Sequence, residues 1–136
     1  MKKWIDIGAH GFLGLIFTVF GFNGLLMALT GNGFIPMPEM PEKAGALMGA
    51  MAATGYFLPV LKVVEITGGV LLLTRRFVPL ALVLLAPVIV QIFLFHLFLE
   101  PSGLPLGVIL VALEAYLGFW LYRDAFRTVL ASKSSA

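Results

Sequence analysis

Apolar residues along this chain fall into four long runs separated by polar, proline-bearing or basic connections. The runs extend from about Ile7 to Thr30, from Tyr56 to Thr74, from Phe77 to Leu99 and from Pro105 to Tyr122. An α-helix rises about 1.5 Å per residue, so about 20 apolar residues cross the roughly 30 Å of hydrocarbon in a bilayer. The pattern predicts an all-α fold: an integral membrane four-helix bundle forming one transmembrane domain over residues 1–130, followed by a flexible tail at 131–136.

Only the connection from Gly31 to Gly55 is long. Pro36, Pro38 and Pro41 forbid a continuous helix at its start, because each lacks an amide donor and restricts the residue before it. From Lys43 to Ala53 the chain is rich in Ala, Met and Gly, and Gly45, Gly49 and Ala53 have small-xxx-small spacing. A short interfacial or re-entrant helix between the first two spans is expected here. The alternative, a continuation of the second span kinked at Pro59, stays open at this level.

Helices in lipid associate by close packing, so stripes of small residues mark contact faces. On the first span Gly11, Gly14, Thr18, Gly21 and Ala28 share a side, and on the fourth Gly107, Glu114 and Gly118 do, flanked by Leu110 and Leu121. Glu114 is therefore expected to point inward. Pro79 and Pro87 are expected to bend the third span.

Composition agrees with a bilayer as the solvent: 60% of the 136 residues are hydrophobic, and only 12% are charged. Cysteine is absent, which removes disulfides, thiolate metal sites and any dithiol relay of the chain's own. The formal charge of +2 points away from nucleic acid. Lys2, Lys3, Arg75, Arg76, Arg123, Arg127 and Lys133 fall on one side of the four spans, and Lys43 alone falls on the other. The positive-inside rule then predicts a multi-pass protein of the bacterial cytoplasmic membrane with both termini in the cytoplasm. The first run exceeds the apolar region of a secretory signal and has no small-x-small cleavage site, so an uncleaved helix is expected.

Charged residues inside a span cost about 2.5 to 3.5 kcal/mol on insertion scales and are usually paired or functional. Lys62 and Glu65 lie at i,i+3 on the second span, and Glu114 lies on the fourth. Counted along their helices, Glu65 and Glu114 come roughly 12 to 14 Å below the outer surface and Lys62 roughly 9 Å. A triad of Lys62, Glu65 and Glu114 is the resulting expectation. One lysine cannot neutralise two carboxylates, so one carboxyl is expected to keep its proton. The triad has two readings: a satisfied network that fixes helix register, or a polar pocket open to the outer leaflet that binds a small headgroup or quinone ring or passes a proton.

His96 and Glu100, at i,i+4 near the outer end of the third span, are expected to hydrogen-bond; two such groups are a poor basis for a metal site, and none is expected. Gln91 lies about 140° around that helix from His96, and Asn23 is nearly opposite the small-residue stripe of the first span. Gln91 and His96 are therefore not expected to face one pocket, and Asn23 either faces another neighbour or bonds its own backbone. Gln91 and Asn23 remain candidate polar positions. Trp4, Trp120 and Tyr122 suit anchoring at the inner boundary, where His10 also sits in a structural role. No phosphate loop or nucleophile triad is present, so no catalytic residue can be named.

The stretch LKVVEITGGVLLLTRRFVPLALVLLAPVI, Leu61 to Ile89, resembles the DoxX and DoxX-like membrane proteins in its Glu65, the Gly68–Gly69 pair, the leucine run Leu71 to Leu73 and the basic turn Arg75–Arg76. The first-span sequence FGFNGL, Phe20 to Leu25, is similar too. The resemblance implies a four-helix membrane bundle. For some members it implies a subunit of a thiosulfate:quinone oxidoreductase or of membrane complexes handling oxidative or thiol stress, with quinone as the cofactor. It carries over Glu65 as a family-like residue and assigns no catalytic role. Three functions are thereby in play: a binding or accessory subunit with an outer-leaflet polar pocket for a lipid-like or quinone-like ligand, a quinone-linked oxidoreductase subunit with a soluble partner, and a structural or assembly partner docking through Gly31 to Gly55. Membrane lipids are expected partners, and the small-residue stripes would also suit a homodimer.

Overall fold

A computed structural model describes residues 2–133. Residues 134–136, the end of the expected flexible tail, lie outside the described residues. Among the described residues every regular element is helical: α1 (Lys2–Thr30), α2 (Glu42–Ala53), α3 (Phe57–Thr74), α4 (Val78–Phe98), a 3₁₀ turn (Pro101–Gly103), α5 (Leu104–Ala115), a π-helical segment (Tyr116–Leu121) and α6 (Arg123–Val129). Four helices are long and apolar enough to cross a membrane, the fourth assembled from the 3₁₀ turn, α5 and the π segment over Pro101–Leu121.

Glu42–Ala53 is a separate helix, not the start of the second span. The break falls at Thr54–Tyr56, where Gly55 has φ +80°, a left-handed conformation that glycine adopts without a Cβ clash. Pro59 accordingly lies in the first turn of α3 and kinks nothing, since its missing N–H is one of those a helix start leaves unused. Pro79, where a bend was expected, likewise sits in the first turn of α4, a position at which proline interrupts no helical hydrogen bond. Pro87 is the one proline inside α4.

The spans pack in the order α1, α3, α4, α5, each mainly against its neighbour in that series. Glycines set the closest approaches. A Cβ at Gly14 would sit 2.7 Å from the Leu73 side chain, one at Gly21 would sit 2.9 Å from Ile66, and one at Gly69 would sit 2.7 Å from the backbone nitrogen of Thr18. Partners run in reverse order along α3, as antiparallel neighbours require. Of the predicted stripe, Gly14, Thr18 and Gly21 lie at this seam, while Gly11 meets nothing within 4 Å and Ala28 is exposed. Gly68 admits Leu85 of α4, and Gly107 lies against the Phe93 backbone, so the same device continues around the bundle.

Leu13, Leu72, Leu85, Ile89, Leu110 and Leu117 fill the centre. Outward positions are also apolar, among them Leu15, Val19, Val63, Val83, Val108 and Phe119. Burial therefore does not separate apolar from polar here, which fits helices that meet hydrocarbon on their outer faces.

Candidate functional site

Both termini of the bundle lie at one end, and the long connection with α2 lies at the other. At the loop end, α1, the loop, α2 and α3 line a half-open cavity of about 540 Å³. Phe20, Asn23 and Met27 line it from α1, Ile35 and Met37 from the loop, Met48 from α2, and Leu58 and Lys62 from α3.

Lys62 supplies its cation. The Nζ atom lies 2.9 Å from Glu65 Oε2, and the two side chains are 19% and 6% exposed, so the pair is largely withdrawn from solvent. Spacing of i,i+3 on one helix makes this contact local, and the chain needs no tertiary arrangement to form it. What the tertiary structure adds is room: a Cβ at Gly24 would stand 2.5 Å from Lys62 Cε and 2.7 Å from Cδ. The lysine stem thus crosses α1 where α1 has no side chain.

Asn23 is buried, and the loop is its partner. Its Oδ1 accepts the Ile35 N–H at 2.9 Å, and its Nδ2 donates to the Ile35 carbonyl at 3.4 Å. The side-chain amide reads the backbone of Ile35 as a neighbouring strand would, satisfying a donor and an acceptor that the prolines around it leave without a helix. Gly33 is required beside it, since a Cβ there would meet Asn23 Oδ1 and lie 2.7 Å from Met27 Cγ.

Glu114 does not join Lys62 and Glu65. Among the described residues it forms no ion pair, and its Oε2 is sealed without a hydrogen-bond partner. The predicted triad fails laterally: α5 packs on α4, whereas the neighbours of α3 are α1 and α4. Equal depth in the membrane does not make two helices adjacent. With Glu114 elsewhere, Lys62 faces a single carboxylate.

His96 pairs with Glu100 as its spacing implies, Nδ1 lying 3.0 Å from the Glu100 carbonyl and 3.3 Å from Oε2. Because the carbonyl only accepts, Nδ1 carries the proton. Ser102 donates to the other Glu100 oxygen, and Gly103 lies directly against the imidazole with no room for a Cβ. This cluster shapes the turn into α5. Gln91 is on an exposed face of α4, so the bundle encloses neither its amide nor any contact with His96, and it is not a buried polar position.

A second polar group sits at the terminal end, where the sequence suggested only boundary anchors and a structural histidine. His10 is 1% exposed. Its Nδ1 donates to the Asp6 carbonyl at 2.6 Å, which leaves Nε2 to accept from the Tyr122 hydroxyl at 2.9 Å. Tyr116 in turn donates to Asp6 Oδ1 at 2.6 Å. These bonds tie the start of α1 to the end of the fourth span, across the one seam where those spans otherwise touch little. The π segment makes this reach possible. In an unbroken α-helix Tyr122 would lie about 140° around from Leu117. The bond from Tyr122 N–H to the Leu117 carbonyl, five residues back at 2.8 Å, instead widens the turn and brings both residues inward. The i,i+4 pair Asp6 and His10 was the available signal in the sequence; the phase shift at Tyr116–Leu121 had none.

Comparison of the chain with protein-family models, with curated proteins and with solved structures found no match.

Proposed function

We propose that this multi-pass membrane protein is a binding or accessory protein that takes one amphiphilic molecule, lipid-like or quinone-like, into the loop-end cavity. The observation that carries this reading is the 540 Å³ space with Lys62 in its lining, in a helix otherwise long and apolar enough to span a membrane. Such a volume suits a small-molecule site, and the site has the usual chemistry of one: apolar walls with few polar groups to fix orientation. Lys62 would donate to a carbonyl, hydroxyl or phosphate oxygen of the ligand head. Met27, Met37 and Met48 would adjust around its apolar part, thioether chains being flexible and polarisable.

Membership of the DoxX-like proteins is part of the proposal. Its support is that Glu65, Gly68 and Gly69, which carry the resemblance, are the Lys62 partner and the glycines at which α3 meets α4 and α1. Lys3, Arg75, Arg76, Arg123 and Arg127 cluster at the terminal end while Lys43 lies at the loop end, which supports cytoplasmic termini in a bacterial inner membrane and a cavity on the outer side. In that orientation α2 would lie at the outer interface.

The test is mass spectrometry of organic extracts from the purified protein, wild type against Lys62→Gln. A bound amphiphile is expected in the wild type, reduced about tenfold or more in the variant, the size of a lost hydrogen bond to a charged group. An empty wild type, or equal amounts in both, would overturn the reading. Recovery of a quinone would extend it to a redox subunit; recovery of a lipid would confine it to binding.

A further inference from the structure

The terminal end holds a cavity of its own. It measures about 310 Å³ and is lined by Asp6, Tyr116, Trp120, Leu121 and Arg123. In contrast to the loop-end cavity, it brings together one anion, one cation and an indole. Among the described residues Asp6 and Arg123 form no ion pair with each other or with any other group. Tyr116 holds one Asp6 oxygen through its hydroxyl at 2.6 Å. Among the described residues the second oxygen has no hydrogen-bond partner and is not a sealed polar atom, and its residue lines the cavity. Trp120 is 60% exposed at the end of the fourth apolar span, where indoles sit at headgroup level.

We propose that this cavity is a headgroup site for a phospholipid carrying a primary ammonium beside its phosphate. Arg123 takes the phosphate, for which a guanidinium fork is suited. The second Asp6 oxygen accepts from the ammonium, and Trp120 offers it an aromatic face. The two protein charges stand apart because the ligand's two charges do. A purely anionic headgroup satisfies Arg123 but meets repulsion at Asp6. A quaternary ammonium has the charge but no N–H to donate, so Asp6 distinguishes it from a primary one. The source is the bilayer itself, since the cavity opens where the apolar span ends.

The full chain would be placed in nanodiscs of equal parts phosphatidylethanolamine, phosphatidylcholine and phosphatidylglycerol, released gently, and its retained lipids counted by native mass spectrometry. The wild type is expected to retain the ethanolamine lipid about fivefold over the others, the scale of one partly exposed ion pair. Asp6→Asn keeps an oxygen for the Tyr116 hydroxyl but loses the charge, and its preference should vanish while glycerol lipid retention rises. Arg123→Gln, at an exposed position, should release all three. Gly11→Ala, where an added Cβ meets nothing within 4 Å, should leave the preference intact. Equal retention by the wild type, a preserved preference in Asp6→Asn, or its loss in Gly11→Ala would each overturn the proposal.

Discussion

Asn23 and Ile35 hold the loop end together as a side chain and a backbone that exchange hydrogen bonds in both directions, at 2.9 and 3.4 Å. The loop between α1 and α2 has three prolines and no helix of its own, so this exchange is what closes the cavity wall opposite α3. Asn23→Ala removes both partners of Ile35 and is expected to cost about 1 to 3 kcal/mol. Hydrogen–deuterium exchange should show the change first at the Ile35 amide, with α4 and α5 unaffected. An amide at Ile35 that exchanges as slowly in the variant as in the wild type would contradict the assignment.

Lys62 and Glu65 answer differently to single and paired substitution. Lys62→Met strands a carboxylate that is 6% exposed, and breaking a buried pair in this way costs about 3 to 5 kcal/mol. Replacing both, Lys62→Met with Glu65→Leu, leaves no charge behind and is expected to be neutral or stabilising by about 1 to 4 kcal/mol. Thermal unfolding in detergent separates the two outcomes. A double variant that keeps wild-type stability yet retains no amphiphile would assign the pair to binding.

How far the sequence reaches can be judged at particular residues. The four spans were legible because bilayer thickness sets the length of an apolar run, and Gly14, Thr18 and Gly21 because small residues on one face have few other uses in lipid. The i,i+3 spacing of Lys62 and Glu65 was legible too, which is why they were correctly paired on one helix. Lateral order was not: nothing in the runs says that α5 lies on α4, and the triad with Glu114 failed on that alone. Gly24 was missed because its partner is the stem of Lys62, a contact between a glycine and a polar residue that a small-residue stripe does not encode. Asn23 was placed on the side away from the α1 stripe, but its partner lies in an irregular loop with no period to read.

The glycines offer a graded test of the α1–α3 seam. Gly69→Ala puts a Cβ 2.7 Å from a backbone nitrogen and 2.9 Å from a backbone oxygen, neither of which can move alone. A loss of about 1 to 3 kcal/mol is expected, as for an overpacked core. Gly24→Ala meets the Lys62 side chain at Cγ, Cδ and Cε, at 3.2, 2.7 and 2.5 Å, so the lysine must shift from its place beside Glu65. It should lower both the melting temperature and amphiphile retention. Gly11→Ala meets nothing and should do neither.

Arg75 ends α3 with φ +56°, its N–H bonded to the Leu72 carbonyl and the next N–H to the Leu71 carbonyl. That pairing is a Schellman motif with arginine where glycine is usual. A left-handed residue with a Cβ costs about 1 to 2 kcal/mol, so Arg75→Gly should raise stability by about 1 kcal/mol in a thermal melt. Arg76 and the exposed basic groups near it stay in place, so membrane orientation should be unaltered.

His10 and Tyr122 form one of the two side-chain contacts that join α1 to the fourth span at the terminal end, the other being Asp6 and Tyr116. Tyr122→Phe keeps the ring and removes the hydroxyl that donates to Nε2 at 2.9 Å, leaving a buried nitrogen without a donor. The cost should be about 1 to 3 kcal/mol. His10→Leu removes the nitrogen as well, so in the double variant the tyrosine hydroxyl is no longer missed by anything. The two losses should therefore fall short of additive by about 1 kcal/mol, as for residues in direct contact. A second readout follows from geometry. Spin labels near Trp4 and Val129 report the separation of the two chain ends, and their distance distribution should broaden in Tyr122→Phe but not in Gly11→Ala. Strictly additive energies together with an unchanged distribution would mean that the π segment, and not its hydrogen bond to α1, sets the position of the fourth span.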